Sequence, residues 1–284
     1  MRWQGRRGSS NIEDRRRTRS SARGGTQLGI VGVILVMGLG YFFGIDVTPL
    51  LQGQGGGTGQ IATGELTEAD ERAGQFVSVT LADTEEIWTD IFREQVGRPY
   101  DPAVLVLFKG VTASPCGNAS GATGPFYCPA DKKVYLDTNF FTTMERQMGA
   151  GGDFAAAYVV AHEVAHHVQN ELGILGQANQ IRAQSSQSDA NAISVRIELQ
   201  ADCYSGVWAR LAQTRFSSLE RGDIAEAMNA AKRIGDDSLQ RSAGRVPQPH
   251  TFTHGTSEQR QRWFAAGYET GDVRQCDTFS ARTL

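Results

Sequence analysis

The pattern His162-Glu163-Val164-Ala165-His166 constrains this chain more than any other stretch. It lies in the apolar run "YVVAHEVAHHVQ", Tyr158 to Gln169, where ionisable side chains without partners would be costly. Two histidines four residues apart share a face on a helix, one turn apart, where both imidazoles reach a single ion. A helix is therefore predicted over Asp153 to Leu172, with Asp153 as its N-cap. The pattern also names a chemistry. Glu163, beside the two ligands, is placed to take a proton from a water on zinc, whose pKa the ion lowers toward about 7. An open zinc site takes three protein ligands, so the chain must supply one more.

The run after His166, "HVQNEL", lacks the glycine and third histidine of the extended HExxHxxGxxH pattern. Downstream, "RIELQADCYSGVW" carries Glu198 and Asp202, four apart and so on one helix face. Ile197, Leu199, Ala201, Cys203 and Tyr204 surround them, which is no bare polar surface. Glu198 is the candidate third metal ligand, completing His162, His166 and Glu198. Asp202 is the candidate acceptor that fixes the tautomer of a ligating histidine. His167 points about 100° away from His166 and is expected to hydrogen-bond a neighbouring loop. His254, in "PQPHTFTHGTSEQR" just before a helix start, is the candidate catalytic donor to a developing oxyanion. His250 reads as a surface-loop residue, and Tyr204 and Tyr268 are secondary candidates for the donor. Gln184–Asn191, rich in serine, glutamine and asparagine, is expected to form an exposed loop near the site mouth.

Charge is divided unevenly along the chain. Residues 1–27 hold eight arginines against Glu13 and Asp14, a balance of +6, and the rest carries 20 basic against 29 acidic residues, a balance of −9. An acidic body argues against nucleic acid as a partner. Next comes "LGIVGVILVMGLGYFFGI", Leu28 to Ile45, 18 residues without a charge or proline. A bilayer core needs roughly 20 apolar helical residues, about 17 at the least. Residues 28–45 are therefore expected to form a single transmembrane helix. A core helix would seldom follow such an arm, and no small-residue cleavage site follows. By the positive-inside rule, residues 1–27 form a basic cytoplasmic arm. Residues 46–64, glycine-rich and nearly uncharged, form a tether. Residues 65–284 form one domain on the outer, periplasmic or extracytoplasmic, side of the cell membrane.

The domain reads as helix-rich α+β with a small sheet. Thr67 followed by Asp70 and Glu71 opens one long or two short helices to residue 97, and "AVLVLF" (103–108) and "KVYLD" (133–137) read as strands. Either strand is a candidate edge for pairing an extended peptide. Residues 188–215 and 223–234 read as helices, and Thr256 with Gln259 forms a capping box before another. Four cysteines in an exported body suit disulfides. Cys116 and Cys128 bracket a glycine-rich loop whose closure is worth roughly 2–3 kcal/mol. Cys203 with Cys276 follows by elimination only, and the alternatives are buried thiols or Cys203 as a metal ligand.

The stretches "VVAHEVAHHVQ", "ELQADCYSGVW", "GPFYCPADKKVYLD" and "FTHGTSEQRQRWF" resemble the bacterial neutral zinc metallopeptidase family, over nearly the whole chain. The resemblance implies a gluzincin-like zincin fold, a single membrane anchor and hydrolysis of a peptide or protein substrate. It carries zinc ligation to His162, His166 and Glu198, the catalytic role to Glu163 and a place near the site to His254, and it favours disulfides. The chain is therefore expected to be a membrane-anchored zinc peptidase. The alternative is a zinc-stabilised envelope scaffold or chaperone-like binding protein without turnover, its site closed by a fourth ligand such as Cys203.

Overall fold

The computed structural model describes residues 1–17, 66–120 and 123–284. The expected membrane helix 28–45 and tether 46–64 lie outside them. Among the described residues no helix is long and apolar enough to cross a membrane.

The fold is helix-rich α+β with two small sheets. Strand β1 is Ile12–Asp14. Helix α1, Glu68–Ile91, starts at a capping box in which the Asp70 amide donates to Thr67 Oγ1 and the Thr67 amide to Asp70 Oδ2. Its buried face holds Phe76, Val77, Leu81, Ile87 and Trp88, and it widens into a π-helical turn, Phe92–Val96, stopped by Gly97 at φ 79°. Then come β2 (Val104–Phe108), the hairpin β3 (Val111–Ser114) and β4 (Gly117–Ser120), β5 (Phe126–Cys128) and β6 (Lys133–Asp137). The main sheet runs β1-β2-β6-β5, with β5 antiparallel to β6 and the other pairs parallel. Both strands expected to offer an edge, 104–108 and 133–137, are thus internal. Their alternate ladders are taken up on both sides, and β5 is the edge beside the cleft. The Cys116–Cys128 disulfide ties that edge to the hairpin.

The remaining helices are α2 (Asn139–Arg146), α3 (Asp153–Glu171), α4 (Ile174–Arg182), α5 (Gln187–Phe216), α6 (Asp223–Arg233), α7 (Asp236–Ser242) and α8 (Ser257–Thr270). Two local expectations change. Asp153 is the first residue of α3 rather than its N-cap. Gly152 caps it at φ 116°, and Glu226 of α6 accepts the Phe154 amide at 3.0 Å. The cap therefore comes from another helix, 72 residues on. The expected loop Gln184–Asn191 is mostly the start of α5, because Ser186 Oγ accepts the Asp189 amide and caps the helix there.

Helices α3 and α5 lie side by side in the main core, and α8 closes on α5. Gly206 and Gly267 permit that approach: a Cβ on either would collide with a backbone carbonyl of the opposite helix. The Cys203–Cys276 disulfide pins the chain after α8 to the same face.

The described part of the basic arm is not a separate element. Residues 1–17 lie along α1 and add β1 to the sheet. Arg6 makes a two-pronged pair with Asp83, which is 3% exposed. Asn11 and Ser9 donate to Glu85, and Trp3 meets Phe76 edge to face at 5.6 Å. The arginines find acids on the body, so the arm folds against it.

The start of α1 yields a pH prediction. Burial raises the Asp70 pKa, but Lys109 at 2.9 Å and the Thr67 groups outweigh it and hold Asp70 down at about 2. A depressed carboxylate stabilises the fold above its unfolded pKa, near 3.9, and that contribution is lost as pH falls through about 2. Lys109 is 38% exposed and screened by solvent. Lys109→Met should therefore cost about 1 kcal/mol at pH 7, and the gap should narrow to less than half by pH 2. Urea titrations at both pH values check this, and an equal gap at both removes the assignment.

Candidate metal centre

One helix carries the first two donors. The face of α3 that packs in the core also bears His162, Glu163 and His166, with His162 6% and Glu163 8% exposed. Glu198 on α5 faces them. Its carboxylate lies 3.1 Å from His162 Nε2 and 3.5 Å from His166 Nε2. These three donor atoms fall within 4.8 Å of one another, and the described residues hold one other such acidic or imidazole group, Asp153, Asp223 and Glu226. In that second group two of the three acids are ion-paired to the Met1 ammonium.

Each ring nitrogen turned away from this point faces a buried polar side chain. Gln169 Oε1 accepts from His166 Nδ1 at 2.9 Å, and its amide nitrogen donates to Ile197 O and Gln200 Oε1. Those two acceptors fix which way the amide points, so Nδ1 of His166 carries the proton and Nε2 keeps its lone pair. His162 Nδ1 lies 3.0 Å from Asp202 Oδ1, off the line of a good hydrogen bond. Asp202 is fully buried and accepts Arg260 Nε at 2.8 Å, Arg260 Nη2 at 2.9 Å and Tyr158 Oη at 2.5 Å. Burial raises the Asp202 pKa, but Arg260 and His162 more than offset that and keep it ionised. Two imidazole nitrogens and one carboxylate, with Gln169 bonded behind one imidazole and the Asp202 carboxylate beside the other, suit zinc with a position left open.

Glu163 borders the same cleft. Burial raises its pKa against the pull of His166 and His162, toward the range of a general base. His254 reaches the cleft from the loop before α8. That loop is held by Asp236, whose Oδ2 accepts the amides of Thr253, His254 and Gly255 at 2.8, 2.7 and 2.9 Å. Phe252 anchors it against Val195 and Leu199 of α5. His254 Nδ1 lies 3.3 Å from Asp236 Oδ1. Burial lowers the His254 pKa, but Glu198 and Asp236 more than reverse this. The cleft has a volume of about 460 Å³, and Phe126, Phe140, Met148, Leu175 and Ile234 contribute apolar walls.

All six residues expected at the site are therefore close together: His162, Glu163, His166, Glu198, Asp202 and His254. His167 turns away, donating from Nε2 to Asp101 O at 2.7 Å, as its place on the helix requires. Tyr204 and Tyr268 do not border the cleft. Tyr204 packs on Trp88 and Tyr268 stacks on Phe264. Cys203 is disulfide-bonded and has no thiolate to offer a metal. Gln169, Tyr158, Arg260 and Asp236 were missed. The first had a signal, since it follows His166 by three residues on one face. Asp236 had none, being 18 residues from His254.

The family described as "Putative neutral zinc metallopeptidase" matches residues 1–279. The chain is 46% identical over 288 residues to the uncharacterized protein YpfJ of Escherichia coli K12, covering 98% of this chain and 99% of that one. It is 49% identical over 188 residues to the uncharacterized protein Rv2575 of Mycobacterium tuberculosis H37Rv, covering 63% and 62%. No solved structure matches.

Proposed function

The chain belongs to the neutral zinc metallopeptidase family, and on that premise we propose that it hydrolyses peptide bonds in the cleft between α3 and α5. The observation that carries this is the convergence of His162 Nε2, His166 Nε2 and the Glu198 carboxylate beside the buried Glu163. A zinc ion held by His162, His166 and Glu198 supplies a Lewis acid and lowers the pKa of water. Glu163 takes the proton of the attacking water and passes it to the leaving nitrogen. His254, oriented by Asp236, donates to the oxyanion as it develops. The outer side of β5, an edge strand of the sheet among the described residues, pairs an extended substrate alongside the cleft. This division of labour is gluzincin-like, with a glutamate on a later helix as third ligand. The two disulfides suit an oxidising compartment, so the domain works outside the cytoplasm.

The scaffold reading loses its proposed fourth ligand, because Cys203 is bonded to Cys276. The deciding experiment measures metal content and cleavage of a mixed peptide library by the purified full chain. Equimolar zinc is expected, with cleavage lost to a chelator and restored by zinc. A zinc-loaded protein that cleaves nothing in the library would overturn the proposal.

A further inference from the structure

We infer that residues 1–17 and 66–284 lie on the same side of any membrane this protein touches. The reason is the way residues 1–17 are used. β1 pairs in register with β2, Ile12 with Leu105, Glu13 with Val106 and Asp14 with Leu107. Taking it away would bare the edge of β2 in the middle of the fold. It would also strip the buried Asp83 of its guanidinium partner and leave that carboxylate without a cation in the core. A body folded this way has its first 17 residues with it.

The arginines that suggested a cytoplasmic arm are already engaged. Among the described residues, all six arginines of the arm pair with carboxylates: Arg2 with Glu220, Arg6 with Asp83, Arg7 with Glu86, Arg15 with Glu13, Arg16 with Asp14 and Arg17 with Glu71. Four of those acids, Glu220, Asp83, Glu86 and Glu71, belong to the body. The described arginines of the arm are thus neutralised within the fold.

The chain leaves and returns at one corner. Arg17 binds Glu71 at 2.6 Å and Arg16 binds the Asp70 carbonyl, so residues 17 and 66 flank the same first turn of α1. This inference does not depend on catalysis.

The test uses two full-length variants, Ser10→Cys and Ser280→Cys, both at exposed positions. The native cysteines are all in disulfides, so each variant has one free thiol. Spheroplasts are treated with a membrane-impermeant maleimide before and after permeabilisation. The expected result is that both sites behave alike, either both labelled at once or both only after permeabilisation. Labelling of one site in intact spheroplasts and of the other only after permeabilisation overturns the inference. A second measurement guards against local masking. A Cβ at Gly8 would lie 3.5 Å from Ser78 Cβ, within disulfide range. Gly8→Cys/Ser78→Cys, with a protease site placed in 46–64, should remain one species after oxidation and cleavage on a non-reducing gel. Separation into two fragments overturns the inference.

Discussion

Glu163→Gln lowers kcat for peptide cleavage by roughly 10²–10⁴-fold while zinc stays bound. Glutamine keeps the volume and a carbonyl oxygen but cannot accept the proton of the attacking water. None of the three donors is altered, and Glu163 makes no hydrogen bond that holds a ligand in place. The loss should therefore appear in kcat, with KM and thermal stability close to the parent. The measurement is steady-state kinetics with metal analysis on the same preparation. Cleavage at an undiminished rate would remove Glu163 from the mechanism, whatever the zinc content.

Asp202→Ala acts on both stability and zinc. It leaves the Arg260 guanidinium, 2% exposed, without its carboxylate, at a cost of about 3–5 kcal/mol. It also removes the acceptor beside His162 Nδ1, and such losses weaken metal binding by roughly 10–100-fold. The two effects separate in the double variant Asp202→Leu/Arg260→Met. With the charge gone, much of the stability should return, but zinc affinity should stay low because nothing orients His162. Denaturant unfolding and competitive zinc titration read the two quantities. Parent-like zinc affinity in both variants would show that Asp202 serves packing alone.

The site was more legible in the sequence than the fold was. His162, Glu163 and His166 declare themselves because a helix with period 3.6 turns local spacing into a shared face. Glu198 and Asp202 declare themselves by the same rule, on a second helix whose apolar neighbours mark it as buried. Capping boxes at Thr67 and Thr256 were readable for a like reason, since both partners lie within one turn. Gln169 follows that rule as well, and was readable in principle.

The remainder was decided by contacts between distant segments. Helix α3 is capped by Glu226, the His254 loop is gathered by Asp236, and Asp202 is satisfied by Arg260 from α8. No local spacing encodes those meetings. The identity of the free sheet edge depends on strand order, which the strands' own sequences do not carry. The arm shows the limit most clearly. Its arginines and the acids of α1 were both visible along the chain, yet a charge run alone cannot say whether it meets phosphates, solvent or its own body. Composition and spacing by themselves pointed to two helices carrying three candidate metal donors in a helix-rich α+β domain. Only the tertiary structure decided what stands behind each ligand and where residues 1–17 belong, because those depend on burial and pairing between segments remote in sequence.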